Sequence, residues 1–307
     1  MEELVQKVID WHKETVETER EWREESTEDY EFALSKQWKQ TDVIELANEG
    51  RPALVINKIK PVIKLLLGYE RNNRTEIRFM PVEASDHPVT ELLNQLVKHV
   101  FATTNGDYQA SAQFQDGLIC GKGWGYLNVE YNKDPILGEL AYKKTSPFNI
   151  YLDKYSIEPD LSDASHVIRT YRVAWDYLKT LYPHVKDLLD INSALSPDAD
   201  RRTPHIVYRQ DPYGKSAGNM SSEEMDDKRA VVYECWYREY KLQKFLFNQS
   251  SGEFFPTKMS EQQCKEMVAR APELGYMKRV VPEMRFVVCT DTTLLEEGVS
   301  PIGGNVF

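Results

Sequence analysis

Four carboxylates crowd one short stretch of the chain: Asp153, Glu158, Asp160 and Asp163 fall within IYLDKYSIEPDLSDA. Two or three such groups brought together can hold magnesium for phosphoryl chemistry. Their spacing matches no loop of calcium type, and a turn-rich loop capped and bent by Asp explains them as well. The glycines of CGKGWGY (120–126) suggest a phosphate cradle. A phosphate loop, however, runs GxxxxGK and then Ser or Thr, from strand into helix. Here a helix is expected before the glycines, a strand after them, and Gly123 is followed by Trp124, which is the pattern of a tight turn with positive φ. His12, His87, His99, His166, His184 and His205 show neither HxxxH nor HxH spacing. Cys120, Cys235, Cys264 and Cys289 form no CxxC pair, which argues against a zinc ribbon and a redox motif. No GxSxG elbow is present. The expectation is a chain with no catalytic, cofactor-binding or metal-binding residue. The alternative is a metal-dependent nucleic-acid-processing enzyme that uses Asp153, Asp160 and Asp163.

Basic and aromatic residues form the second candidate set. Residues 51–79 carry seven bases (Arg51, Lys58, Lys60, Lys64, Arg71, Arg74, Arg78) against two acids (Glu70, Glu76). One reading is a nucleic-acid-binding module centred on Arg71, Arg74 and Arg78. The other is a subunit interface in which forked guanidinium donors meet another subunit's acidic face. Tyr233, Trp236, Tyr237 and Tyr240 crowd one strand around Arg238, a mix that suits stacked bases or a protein interface. The whole chain has 38 bases and 49 acids, a net charge of −11, which weighs against a DNA-coating role. The candidate subunit-interface residues are therefore Lys60, Arg71, Arg74, Arg78, Trp236 and Arg238.

The elements that must position these residues follow from periodicity. With 307 residues, 41% of them hydrophobic, the chain has the length for about two domains and an ample core. Residues 1–35 hold twelve acids and four bases, with Leu4, Val5, Val8, Ile9, Trp11 and Val16 at helical spacing: one or two amphipathic helices with an acidic outer face. Asn57 and Pro61 open a helix whose apolar stripe is Ile59, Val62, Ile63, Leu66 and Leu67. A strand is expected near Ile77–Val82. A helix over 86–105 is marked by Leu92, Leu93, Leu96, Val97, Val100 and Phe101, and another runs from about Tyr108 to Ile119 with Phe114 and Leu118 inward. Leu127, Val129 and Tyr131 alternate with polar residues and open a hairpin that returns through Leu140 and Tyr142. Further strands are expected at 148–152, 166–173, 230–240, 242–247 and 280–290. A short helix carries Trp175, Leu178, Leu181 and Tyr182, and Ser260 with Gln263 caps another that ends near Ala271. The predicted class is α+β: a helical N-terminal half followed by an antiparallel β-rich region with short helices. The expected divisions are a mainly helical region 1–120, an α+β region 121–195, an exposed loop or linker 196–229 and a β-rich region 230–307.

Several blocks, in order, resemble one family. RPALVINKIKPVIKLLLGYERNNRTEIRFMPVE (51–83), DGLICGKGWGYLNVEY (116–131), SPFNIYLDKYSIEPDLSDASHVIRTYRVAWDYLKTLYP (146–183) and VVYECWYREY (231–240) are similar to portal proteins, the head-to-tail connectors of short-tailed, double-stranded-DNA phages. The resemblance implies a non-enzymatic subunit of a ring, usually a dodecamer, at one vertex of the capsid. It implies a wing, stem and clip architecture, with 1–120 wing-like and 230–307 clip-like. The implied partners are further copies of the chain, terminase, tail or adaptor proteins, and capsid and scaffolding proteins. Double-stranded DNA would pass through the channel without sequence-specific binding. The implied location is the virion, after assembly in the host cytoplasm. Members of this family run well beyond 307 residues, so the chain is expected to be an N-terminal portion.

Overall fold

The computed structural model describes residues 2–131, 134–185, 229–248, 252–271 and 273–300. The loop expected at 196–229 lies outside them, apart from Arg229, which opens a strand. In chain order the helices are α1 (Glu2–Thr18), α2 (Arg20–Ala33), α3 (Gln40–Asn48), α4 (Ile59–Asn72), α5 (His87–Thr103), α6 (Gly106–Cys120), α7 (Trp175–Leu181) and α8 (Glu261–Arg270). The strands are β1 (Trp124–Glu130), β2 (Glu139–Thr145), β3 (Ile150–Leu152), β4 (His166–Ala174), β5 (Arg229–Asn248), β6 (Phe254–Thr257), β7 (Leu274–Cys289) and β8 (Leu294–Val299). The α+β class and the helical N-terminal half read from the sequence hold. No helix among the described residues is long and apolar enough to cross a membrane.

Contacts gather the described residues into two units: those up to Thr15 and from Tyr151 onward form one, those from Val16 to Ile150 the other. In the helical unit, α2, α4, α5 and the β1–β2 hairpin all pack on α6. Its core gathers Tyr30, Cys120 and Phe148, with Trp22 and Ile119 against them. Long polar side chains tie the helices to the loops: Trp22 donates to the Cys120 carbonyl at 3.1 Å and Arg23 to the Phe148 carbonyl at 2.8 Å. Asn57 opens α4 as expected, its Oδ1 accepting from the Ile59 and Lys60 amides at 3.0 and 2.9 Å. At the far end of α6, Gly121 takes φ of +76° and its amide reaches the Gly117 carbonyl at 3.0 Å. Gly123 then passes so close to α6 that a Cβ would sit 2.3 Å from the Gln113 carbonyl oxygen. The CGKGWGY glycines thus make a helix-to-strand turn.

The strand expected near 77–82 does not form. Phe79 instead exchanges both backbone hydrogen bonds with the Asn94 side chain on α5, at 2.8 and 3.1 Å, so its polar groups are satisfied without a neighbouring strand. One inward assignment also fails: Phe114 is exposed, and the α4 stripe is mostly open, with only Leu67 of it fully buried among the described residues.

The second unit is built on an antiparallel sheet of order β3-β4-β5-β7-β8, with β6 added to the far end of β5. On one face, Val5, Val8 and Ile9 of α1 pack on Ile168, Tyr233, Cys235, Tyr237, Val287 and Cys289. On the other, Trp175 and Leu178 of α7 cover Ala230, Val232, Val288 and Leu295. The two strands expected at 230–240 and 242–247 are one, β5, of 20 residues. Exposed Lys241 breaks the apolar pattern without a glycine or proline to break the strand. At about 3.3 Å per residue β5 runs roughly 65 Å. β4 pairs with it only to Tyr237 and β6 only from Lys244, while β7 runs alongside throughout that interval. Pro282 in β7 is tolerated because that strand has only β5 as a neighbour there. Ser260 and Gln263 form the anticipated capping box of α8.

Candidate assembly surfaces

The acidic loop between β3 and β4 uses its carboxylates on its own backbone. Asp153 accepts from the Tyr155 and Ser165 amides at 3.1 and 3.0 Å. Asp163 accepts from the Ser156 hydroxyl at 2.7 Å and from the Ile157 and Glu158 amides at 2.6 and 3.2 Å, and Asp160 from the Ser162 amide at 3.0 Å. The Ile157 amide and the Ser156 hydroxyl hold Asp163 below the usual carboxylate range, and Ser162 does the same for Asp160. Burial pushes Asp153 up, but the bonds from Ser165 and Tyr155 outweigh it and leave it low. These groups are occupied as turn caps, and among the described residues no group of three or more His, Cys, Asp or Glu is placed to hold a metal.

The histidines are dispersed, with His87, His99 and His184 exposed and His12 and His166 packed on aromatic rings. His166 stacks on Trp11 with ring centroids 4.3 Å apart, and burial holds it below its usual value. His12 meets Tyr151 and Tyr233 edge-on. His205 lies outside the described residues. All four cysteines are free and buried, and burial raises the thiols of Cys120, Cys235 and Cys289. Asp116, deep in the helical unit, is 1% exposed and faces Lys144 Nζ at 2.7 Å. Burial raises it, against the pull of Lys144 and a hydrogen bond from Tyr30.

The six residues singled out from sequence are divided between the units, four in the helical one and two in the sheet one. Arg74 ties the end of α4 to α6 at the surface of the helical unit: it pairs with Asp107 at 3.0 Å and Glu70 at 3.5 Å and donates to the Ser111 hydroxyl at 2.9 Å. Arg78 pairs with Glu76 at 3.0 Å, which Lys98 also approaches at 3.5 Å, and these bases hold Glu76 low. Arg71 is exposed and Lys60 half-buried on α4. In the sheet unit, half-buried Trp236 donates to Glu234 at 2.9 Å and lies 5.4 Å from the Phe286 ring. Arg238 reaches the carbonyls of Leu161 and Ser162 and so fastens the acidic loop to β5.

What sequence reasoning missed is how much apolar surface the helical unit leaves open. α4 exposes Ile59, Val62, Leu65, Leu66 and Tyr69, and α5 exposes Val89, Leu92 and Leu96. The hairpin presents Leu127, Val129 and Leu140, and its tip leaves Ile136 84% and Leu137 81% exposed. In the sheet unit, Tyr240, Leu242 and Val280 line one face of β5 and β7 where those two strands run alone. Patches of this size mark interaction surfaces. The periodic stripes were legible, but a stripe shows that a face is apolar and not what lies against it.

Open apolar faces fit a family built for assembly. The model of the Phage P22-like portal protein family matches residues 9–307. The chain belongs to this portal family. It is also similar to a portal protein of Helicobacter pylori bacteriophage KHP30, with 23% identity over 219 residues, covering 69% of this chain and 31% of that protein. Portal proteins are structural head-to-tail connectors of phage virions, associated with DNA packaging, and the family is not an enzymatic one.

Proposed function

We propose that the chain is a subunit of a portal ring at the capsid vertex, forming the channel through which the genome is packaged and ejected. The family match over residues 9–307 carries this reading. Three features support it. The open apolar faces of α4, α5 and the hairpin suit contact with neighbouring subunits. The net charge of −11 lets duplex DNA pass without a phosphate clamp. The acidic loop is spent on its own turns. Terminase and tail or adaptor proteins would dock on the ring, capsid and scaffolding proteins would surround it, and the subunit would act without a cofactor. Among the candidate interface residues, Arg71, Arg78, Lys60 and Trp236 would face neighbours directly, whereas Arg74 and Arg238 would hold the surfaces in shape. The bare part of β5 and β7, with β6 and α8, is the clip-like element in this reading, and the helices before residue 120 the wing-like one. Cryo-electron microscopy of the intact gene product tests it: ring-shaped particles, expected as dodecamers, are the predicted result, and a protein that stays monomeric at micromolar concentration overturns it.

A further inference from the structure

Two faces of the helical unit carry opposite charges that nothing among the described residues neutralises. On α2, Glu21, Glu24, Glu25, Glu28 and Asp29 are all exposed, and none pairs with a base among the described residues. The i,i+4 pairs Glu21–Glu25, Glu24–Glu28 and Glu25–Asp29 repel, each at a cost of a few tenths of a kcal/mol to the helix. Buried Ser26, Tyr30 and Ala33 lie on the opposite side and fix the acidic face outward. On and before α4 the sign reverses. Lys58, Lys64 and Arg71 are exposed and unpaired among the described residues, while Glu70, the one acid of the helix, is taken up by Ser111 and Arg74. On the helix Lys64 and Arg71, seven residues apart, share one flank of the exposed side, and Val62, Leu65, Leu66 and Tyr69 occupy the other.

We propose that the acidic face of α2 in one copy docks on the basic, apolar face of α4 in the next. This deepens, and rests on, the ring reading. A second copy fits better than DNA. Leu65 and Tyr69, 71% and 69% exposed, share the open side of α4 with the bases, and a phosphate backbone would leave them uncovered. A second copy supplies the α2 carboxylates to the basic flank, and the surface beside them covers the apolar one. Two different complementary surfaces on one chain make a head-to-tail contact, the kind that closes into rings.

Charge reversal and swap in the intact protein test it. Lys64→Glu with Arg71→Glu, and separately Glu24→Lys with Glu28→Lys, should each raise the concentration for half-assembly by about tenfold or more, equivalent to about 1.4 kcal/mol. All four substitutions together should restore assembly, which also shows that the variants fold. Mass photometry reads the oligomer size, and circular dichroism confirms helix content. Oligomers unchanged in either double variant, or unrescued in the quadruple one, overturn the contact and leave the ring reading standing. A wild type that never assembles overturns both. Loss of duplex-DNA retention by the α4 variant, with oligomer size unchanged, assigns the face to nucleic acid instead.

Discussion

Removing Lys144 should leave a carboxylate stranded in the helical unit. Asp116 sits on α6, 1% exposed, with Lys144 Nζ of β2 2.7 Å away and the lysine side chain itself only 20% exposed. Lys144→Met keeps the length of the side chain and deletes the charge. Breaking a buried pair from one side costs about 3–5 kcal/mol, because the remaining charge is uncompensated. At about 3 kcal/mol, α6 amides should exchange roughly a hundredfold faster at neutral pH if they open with the unit. The deficit must depend on pH. Burial already raises Asp116, and Lys144 pulls it back down, so the substitution raises it further. A carboxyl with a raised folded-state value stabilises below its unfolded value and loses that stability as pH climbs through the folded one. The variant should therefore approach wild type near pH 4, about the unfolded value of Asp, and show its full deficit near pH 7.5. Hydrogen exchange with mass spectrometry on peptides covering 106–120, corrected for intrinsic rates, is the assay. Adding Asp116→Asn to Lys144→Met should recover most of the loss. An equal deficit at both pH values, or none at neutral pH, would refute the account of this pair.

Two glycines should respond with opposite signs to alanine. Gly123→Ala drives a Cβ into the Gln113 carbonyl and should cost about 1–3 kcal/mol in urea unfolding, whereas Gly68→Ala, with open space in α4, should gain about 0.5–1 kcal/mol; matching signs would contradict the close approach. Asp163→Ala should speed exchange of the Ile157 and Glu158 amides, and magnesium should change neither protein. Since Asp163 is held low, the loop's protection in wild type should persist above the ordinary carboxylate value near 4 and fade as pH drops beneath it. His166 is held low by burial, with Lys7 adding to that and Asp153 and Glu14 opposing it. Its contribution to α1 docking is thus present above the unfolded value near 6.5 and lost as pH falls from there. His166→Phe, which keeps the stack on Trp11, should flatten the exchange of peptides covering 2–15 between about pH 7 and 5; an unchanged pH response would remove His166 as its source.

Local signals in the chain were strong where one residue type did one job. Asn57 before α4, the capping pair Ser260 and Gln263, and the alternation of Leu127 and Val129 each announced their element. Elements lacking such a mark went unseen. α3 is preceded by Lys39, whose side chain does not cap it, and β8 carries Glu296 and Glu297 because it lies at the sheet's margin. Ile77–Val82 has the composition of a strand but no strand beside it. At the candidate surfaces, sign of charge was legible and destination was not. Arg74 finds Asp107 and Ser111 more than thirty residues away, and Arg238 finds a loop more than seventy residues earlier. Those partnerships exist only once α4 meets α6 and β4 meets β5.

The long strand β5 has a mechanical consequence. Its first half is clamped between β4 and β7, its far end between β6 and β7, and the stretch from Glu239 to Gln243 leans on β7 alone. A pull or twist applied to the far end travels along two covalent backbones straight into the clamped half. Sliding would turn every side chain to the wrong face, so the load cannot be relieved that way. It must be taken up as bending over those few residues, which makes them the hinge of the unit and the place where stiffness can be tuned without disturbing either anchored end.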